Sequence, residues 1–248
     1  MRKPYQGVLN ILRFNWHFYA LSIGLVLLFL ILTIVYQRWQ SYTWIAFISV
    51  LWLNFVSLCI SYYVYDTSSL YEFDWLKITQ KESRIVNINA GFDETSDILS
   101  KRFSGSELIV LDFYDPSIHT EVSIKRARRA YPIFPGTKKV ESTNLNMKKN
   151  SADWIFVILS ALEIRNKRER IQFFKELNRL VKPNGQVVII EHLRDTANFL
   201  AYNIGFLHFY SKSNWLEVFN LAELKVQNEI KITPFISTFI LEKNGSTF

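Results

Sequence analysis

Two short clusters of ionisable side chains hold the residue types that proton transfer requires. Glu191-His192-Leu193-Arg194-Asp195 carries a histidine, the side chain whose unperturbed pKa lets it exchange a proton near neutral pH. Ser160-Ala161-Leu162-Glu163-Ile164-Arg165 carries a carboxylate beside an arginine. His192 and Glu163 are therefore the candidate catalytic residues. Quieter roles stay open beside these: a hydrogen-bonded but inert His192, and an ion-pair set of Glu163, Arg165, Arg194 and Asp195 that braces two loops. The single cysteine, Cys59, lies in an apolar run and behaves as a small hydrophobe, which excludes a disulfide framework and a cysteine-based metal site; no metal is expected.

Each cluster follows an apolar strand. Trp154–Leu159 precedes the first and Gln186–Glu191 the second, and Arg84–Ile88 and Glu107–Leu111 read as two further short strands. Between them lie a helical stretch over Glu121–Tyr131 and an amphipathic helix over Lys167–Lys182. In the latter Ile171, Phe174, Leu177 and Val181 recur at helical spacing, and Pro183-Asn184-Gly185 ends it. Alternating apolar strands and amphipathic helices imply right-handed crossovers and a mostly parallel α/β sheet covered on both faces. Leu224–Ile232 and Ile236–Glu242 are separated by Thr233-Pro234-Phe235, too short for a crossover helix, so they are expected as an antiparallel hairpin at the sheet edge.

The composition, 49% hydrophobic and 16% aromatic, is explained by the first quarter of the chain. Residues 1–65 contain Arg2, Lys3, Arg13 and Arg38 and no acid; the first acid is Asp66. Phe18–Tyr36 is a run of 19 uncharged residues, about 28 Å as a helix, and Ser41–Tyr65 a run of 25, each long enough to cross a bilayer. Gln37-Arg38-Trp39-Gln40 is the turn between them. Tyr19, Tyr36, Trp39, Tyr42, Trp44, Tyr62, Tyr63 and Tyr65 cluster near the ends, as interfacial aromatics do. Three cations before the first run against Arg38 alone in the turn place the N-terminus and everything after Tyr65 on the cytoplasmic side of an inner (cytoplasmic) membrane. The sequence thus divides into a membrane anchor over 1–65, a linker helix over 66–83 opened by Asp66-Thr67-Ser68-Ser69, and an α/β domain over 84–248. Most of the net charge of +7 belongs to the anchor, and the near-neutral remainder argues against nucleic-acid binding. No feature of the chain sets an oligomeric state.

Asn150–Ile164 (NSADWIFVILSALEI) and Lys175–Glu191 (KELNRLVKPNGQVVIIE) resemble the strand and the helix-to-strand turn of class I S-adenosylmethionine-dependent methyltransferases, within them the type-11 group that includes quinone-biosynthesis C-methyltransferases. The likeness covers about residues 84–243 and implies a Rossmann-like methyltransferase sheet, mostly parallel, with a C-terminal antiparallel hairpin, preceded here by the two transmembrane helices. It also implies S-adenosylmethionine as cofactor. The family's acid-x-Gly-x-Gly-x-Gly loop corresponds to Asn87-Ile88-Asn89-Ala90-Gly91-Phe92-Asp93, in which Gly91 alone survives and Asn87 and Asn89 line the same turn. The family's ribose-binding acid falls on Asp112, with Asp115 as the alternate; a carboxylate suits a vicinal diol because its two oxygens accept two donors. Glu141 stands where the family places an acid beside the adenine.

Methyl transfer from a sulfonium needs orientation and, for a phenol or an activated ring carbon, a base, a role open to His192 and Glu163. Asn198–Tyr210 (NFLAYNIGFLHFY) is uncharged apart from His208 and too short to span a bilayer. It reads as a lid, an interfacial helix or a plain core helix; facing the cleft, it would make Tyr202, His208 and Tyr210 substrate contacts. An anchor that holds the site at a bilayer favours a lipophilic acceptor such as a quinone precursor, an alkylated phenol or another lipid. The alternatives are a catalytically inactive methyltransferase-fold interaction module and a nucleotide-dependent oxidoreductase, the latter disfavoured by the missing Gly-x-Gly-x-x-Gly.

Overall fold

The computed structural model describes residues 2–76 and 83–245. The chain opens with α1 (Gln6–Phe14) and continues into α2 (Trp16–Val35), a 3-10 turn at Gln37–Trp39 and α3 (Gln40–Tyr62). Helix α2 and the helical run that contains α3 are long and apolar enough to cross a membrane. Leu21, Ile23, Leu27, Ile31, Trp52 and Phe55 are exposed on them, a surface too apolar to face water without a cost. Polar pairs bind the hairpin internally: Thr33 donates to Thr43 at 2.7 Å and Asn54 donates to Ser22 at 2.6 Å, the interhelical contacts expected where no water competes.

A π turn at Tyr63–Thr67 and a 3-10 turn at Ser69–Tyr71 lead out of α3. The linker expected over 66–83 is thus no single helix as far as Leu76, and its part over 77–82 lies outside the described residues. Val64, Leu70, Phe73 and Leu76 pack on one face of the sheet with Ile85, Leu99, Phe156, Val188 and Ile190. Asp66 turns back to α1, accepting from the backbone N–H groups of Gly7 (2.7 Å) and Val8 (2.8 Å). A carboxylate there satisfies orphan donors at a helix start and complements its dipole. Gly7 is required by closeness: a Cβ on it would meet the Tyr65 Cβ at 2.3 Å.

The sheet has seven strands in the order β3-β2-β1-β4-β5-β7-β6. They are β1 (Arg84–Asn89), β2 (Glu107–Asp112), β3 (Lys138–Lys139), β4 (Ala152–Ile158), β5 (Val181–His192), β6 (Leu224–Thr233) and β7 (Ile236–Lys243). The first five are mutually parallel, while β7 is antiparallel to both β5 and β6. This is the expected parallel sheet with a C-terminal hairpin at its edge. The helices are α4 (Ser96–Arg102), α5 (Val122–Ala130), α6 (Lys167–Leu180), α7 (Thr196–Tyr202) and α8 (Lys212–Leu221). Phe173, Phe174 and Leu177 of α6 and Trp215 and Phe219 of α8 pack with Val86, Ile88, Ile155, Val187 and Ile189 on the face opposite Phe73. Each fully buried side chain of this size contributes about 1.5–3 kcal/mol relative to exposure.

The boundary between α6 and β5 differs from expectation. The helix stops at Leu180, and Val181 already pairs with Ala152; the register then shifts so that Trp154 faces Gln186. Pro183-Asn184-Gly185 therefore sits inside the strand as an irregularity, where a proline without an N–H is tolerated.

Candidate functional site

The carboxyl ends of β1, β2, β4 and β5 meet along one edge of the sheet, and every candidate on the strands lies there. Asn87, pointing to the α4 side, donates to the hydroxyls of Thr95 (2.9 Å) and Ser96 (2.8 Å) and so holds the start of α4. Asn89 accepts from Gly91 N–H at 2.9 Å, while its own amide nitrogen is buried with no protein partner. Asp93 accepts from the N–H groups of Thr95 and Ser96, both at 2.9 Å. Phe92 packs edge-on between Phe14 of α1 and Tyr131.

Asp112, buried at the end of β2, accepts from Tyr114 N–H at 2.8 Å through one oxygen. Its other oxygen takes the Arg128 guanidinium at 2.6 Å, with Lys139 at 3.5 Å. Arg128 also lies over Gly91, whose φ is +87°: a Cβ there would be 2.4 Å from Arg128 Nη1 and 2.8 Å from Tyr114 Cβ. The glycine is thus demanded both by its left-handed backbone and by the guanidinium above it. Gly91→Ala is expected to destabilise the protein by about 1–3 kcal/mol, read by chemical denaturation, because the methyl adds backbone strain and displaces Arg128.

Beside Asp112, a cavity of 930 Å³ is lined by Phe113, Tyr114, Glu141, Ser142, Asn144 and Glu169 among others. Asp115 stands at its exposed rim, where bonds from Ser117 hold its carboxyl below the usual range. Behind it the buried His119 accepts from Asp115 N–H at 2.9 Å and lies 3.6 Å from Glu169.

At the other end of the edge, Leu159 has a φ of +50° and turns the chain after β4. Ser160 donates to Ile88 O at 3.1 Å, and Glu163 follows in a short 3-10 turn. Glu191, at the end of β5, accepts from Leu162 N–H at 3.1 Å. Glu163 and Glu191 are both buried, and each keeps one oxygen without a protein partner. Burial pushes Glu163 up to about 7 and Glu191 up to about 8, since a charged carboxylate loses its hydration there.

His192 is held from both sides of its ring. Asn198 donates its amide N–H to Asp195 (3.0 Å) and Phe235 O (3.1 Å), so its oxygen faces His192 Nδ1 at 3.0 Å. An oxygen there requires the proton on Nδ1 and leaves Nε2 as an acceptor. Tyr65, from the π turn after α3, donates its hydroxyl to that Nε2 at 2.7 Å. The ring stacks on Phe209 (4.7 Å, 14°) and meets Tyr202 edge-on (5.3 Å, 86°). Burial lowers His192 to about 4, so it is neutral at pH 7.

These shifts fix a stability profile. A carboxyl that keeps its proton in the native state stabilises at low pH, and that contribution is lost as pH rises through its folded value. His192 works in the opposite sense, its contribution being lost as pH falls from 6.5 towards 4. Between about pH 6.5 and 8 Glu163 and Glu191 lose their protons in the native state, so Tm should fall across that window. Glu191→Gln should flatten that fall and raise Tm at pH 8 by a few degrees, at about 2–4 °C per kcal/mol. A variant whose profile matched the unmodified protein would show that Glu191 is ionised in the native state.

The other expected contacts lie apart from this pocket. His208 is bonded by Arg165, whose guanidinium also reaches Glu121 at 3.3 Å. Tyr210 donates to Arg165 O at 3.3 Å and has Arg170 over its ring at 3.8 Å. The brace foreseen among Glu163, Arg165, Arg194 and Asp195 takes other partners: Arg165 pairs with Glu121, Asp195 with Lys231 at 3.5 Å, and Arg194 with the backbone of Leu207.

Sequence reasoning missed Tyr65, Arg128, Asn198 and Glu191. Glu191 had a signal, since an acid ending an apolar strand is buried unless the strand stops short. Asn198, six residues after His192, was legible only as the first residue of the uncharged stretch that runs to Tyr210.

No family model and no curated protein matches the sequence. Solved structures do: a protein from Pyrococcus horikoshii is 17% identical with a TM-score of 0.52, over 71% of this chain and 88% of that one. A SAM-dependent methyltransferase from Aquifex aeolicus is 18% identical with a TM-score of 0.51, over 72% of this chain and 94% of the other. The architecture is thus a Rossmann-like methyltransferase fold, with two long apolar helices before it.

Proposed function

We propose that this chain is a membrane-anchored methyltransferase that uses S-adenosylmethionine to methylate a lipophilic acceptor, such as a quinone precursor or an alkylated phenol, at the pocket around His192. The observation that carries the reading is the junction between that pocket and the apolar hairpin. Tyr65, just past α3, bonds His192, and Tyr202, which meets the same ring edge-on, belongs to α7, the helix that packs against α3. A site whose wall is the end of a membrane-length helix is suited to an acceptor that arrives through lipid. With Arg2, Lys3 and Arg13 preceding α2, the fold would lie on the cytoplasmic side, where the cofactor is available.

The residues at the edge of β1 and β2 fit an adenosyl sulfonium once Arg128 withdraws. Asp112 would take the ribose diol, Glu141 the adenine, and Asn89, with its unpartnered amide, and the bare backbone of Gly91 the amino-acid end. Bound there, the cofactor supplies an electrophilic methyl group. His192, neutral with a lone pair on Nε2, would accept the proton of a hydroxylated acceptor, and Asn198 fixes the tautomer that makes this possible. Phe209 and Tyr202 orient the acceptor ring and exclude water.

The test is to reconstitute the full chain in lipid nanodiscs and supply methyl-labelled cofactor with a total lipid extract. Label in a lipid fraction is the expected result. The second reading, an inactive interaction module, is favoured by Arg128, which occupies both Gly91 and Asp112. Absence of calorimetric heat or thermal shift with millimolar S-adenosylmethionine would establish it and remove the enzyme.

A further inference from the structure

Tyr65 is itself a phenol on a short tether, and its hydroxyl donates to the one ring nitrogen of His192 able to accept. Around the imidazole, Phe209 lies parallel, Tyr202 stands edge-on, and Tyr65 meets it at 5.9 Å and 66°. Two aromatic walls, Phe209 and Tyr202, and one fixed acceptor describe a receptor for an aromatic ring bearing a hydrogen-bond donor, the place that Tyr65 fills.

The surroundings indicate the route by which such a ring would arrive. Helix α7 packs against α3 and, with the 3-10 turn at Asn203–His208, leaves Phe199, Leu200, Ile204 and Leu207 exposed, Ile204 to 82%. This apolar strip lies on the elements that pack against α3 and carry Tyr202. The turn that carries Tyr65 is a π turn, closed by Ser68 N–H to Tyr63 O at 2.9 Å. Single π turns within helices are rare and recur at functional sites. Conversion of this one to α geometry would change the angular position of Tyr65 about the helix axis and carry the phenol off His192.

We infer that the box of His192, Tyr202 and Phe209 is a phenol-binding site, that Tyr65 occupies it as a built-in mimic of the headgroup, and that the acceptor displaces Tyr65 by donating its own hydroxyl to His192 Nε2. The inference rests on the reading of a lipid-borne acceptor and narrows it to a hydroxylated aromatic headgroup with an apolar tail.

The experiment uses the full chain in nanodiscs without cofactor, so it stands or falls apart from methyl transfer. The probes are 4-hexylphenol and 4-hexylanisole, alike in shape but different in the donated hydroxyl. Tyr65→Ala should bind 4-hexylphenol about tenfold more tightly than the unmodified chain, with a gain below about twofold for the anisole. Equal gains for both probes, or no gain for the phenol, would overturn the inference. Tyr65→Phe keeps the ring and its packing and guards against a misfolded alanine variant. In it the nitrogen-15 resonance of His192 Nε2 should move as the donor is lost, and return when 4-hexylphenol, but not 4-hexylanisole, is added. A resonance indifferent to the phenol would count against the site. Phenol binding with these signatures but no methyl transfer in the lipid-extract assay would leave the site standing and remove the enzyme.

Discussion

His192→Gln lowers kcat by roughly 10²–10⁴-fold and leaves S-adenosylmethionine affinity unchanged, if the imidazole accepts the proton of the acceptor. Glutamine preserves much of the volume and can keep a donor towards Asn198, so folding is a minor part of the loss. The pH profile separates His192 from Glu163, which reaches the same edge. His192 is depressed to about 4 by burial, so a histidine-dependent rate has no acid limb above about pH 5. Glu163 is raised to about 7, so a rate dependent on its carboxylate climbs with pH through that value. Single-turnover rates from pH 5 to 8.5 therefore name the base: a flat profile abolished by His192→Gln assigns it to the histidine. A limb near 7 removed by Glu163→Gln assigns it to the carboxylate and confines His192 to orienting the acceptor.

How these residues escape or yield to a reading of the chain follows from the range of the forces involved. The strands were legible because their apolar runs are local and because a sheet covered on both faces leaves no room for polar residues inside it. The two long apolar helices were legible for the same reason. Helix α1 was not, because its buried face is Gly7, Asn10 and Phe14 while Leu9 is exposed; its polarity pattern is inverted by the close approach of Tyr65 and by the bonds from Asn10 to Glu94 and from Tyr131 to Asn10. The π turn hides in the same way: Tyr65 reads as one more interfacial aromatic, since its partner stands 127 residues along the chain. Asp112 could be singled out by its place after a strand. The guanidinium that meets it comes from α5, whose run of basic side chains resembles a solvated helix face until the fold brings Arg128 over Gly91.

That guanidinium gives the second large effect. Asp112→Ala should weaken S-adenosylmethionine by about 1–3 kcal/mol, or 5- to 150-fold, because a hydrogen-bonded diol loses a charged acceptor. Arg128→Ala should act with the opposite sign. With Arg128 gone, Asp112 keeps the Tyr114 N–H at 2.8 Å and has Lys139 at 3.5 Å as its nearest cation, and the backbone at Gly91 is uncovered. The apoprotein then becomes less stable, because a buried carboxylate has lost its nearest partner, while the cofactor binds about tenfold more tightly because it no longer competes with an ion pair. The two effects have one origin, so added cofactor should raise the Tm of Arg128→Ala by more than it raises that of the unmodified chain. The double variant decides whether the origin is shared. If Arg128 acts through Asp112, removing it adds nothing once the carboxylate is absent, and Asp112→Ala/Arg128→Ala binds like Asp112→Ala alone. A weaker cofactor affinity in Arg128→Ala would reverse the assignment: Arg128 would then be a ligand for the carboxylate end of the cofactor, and its contact with Asp112 only its resting place.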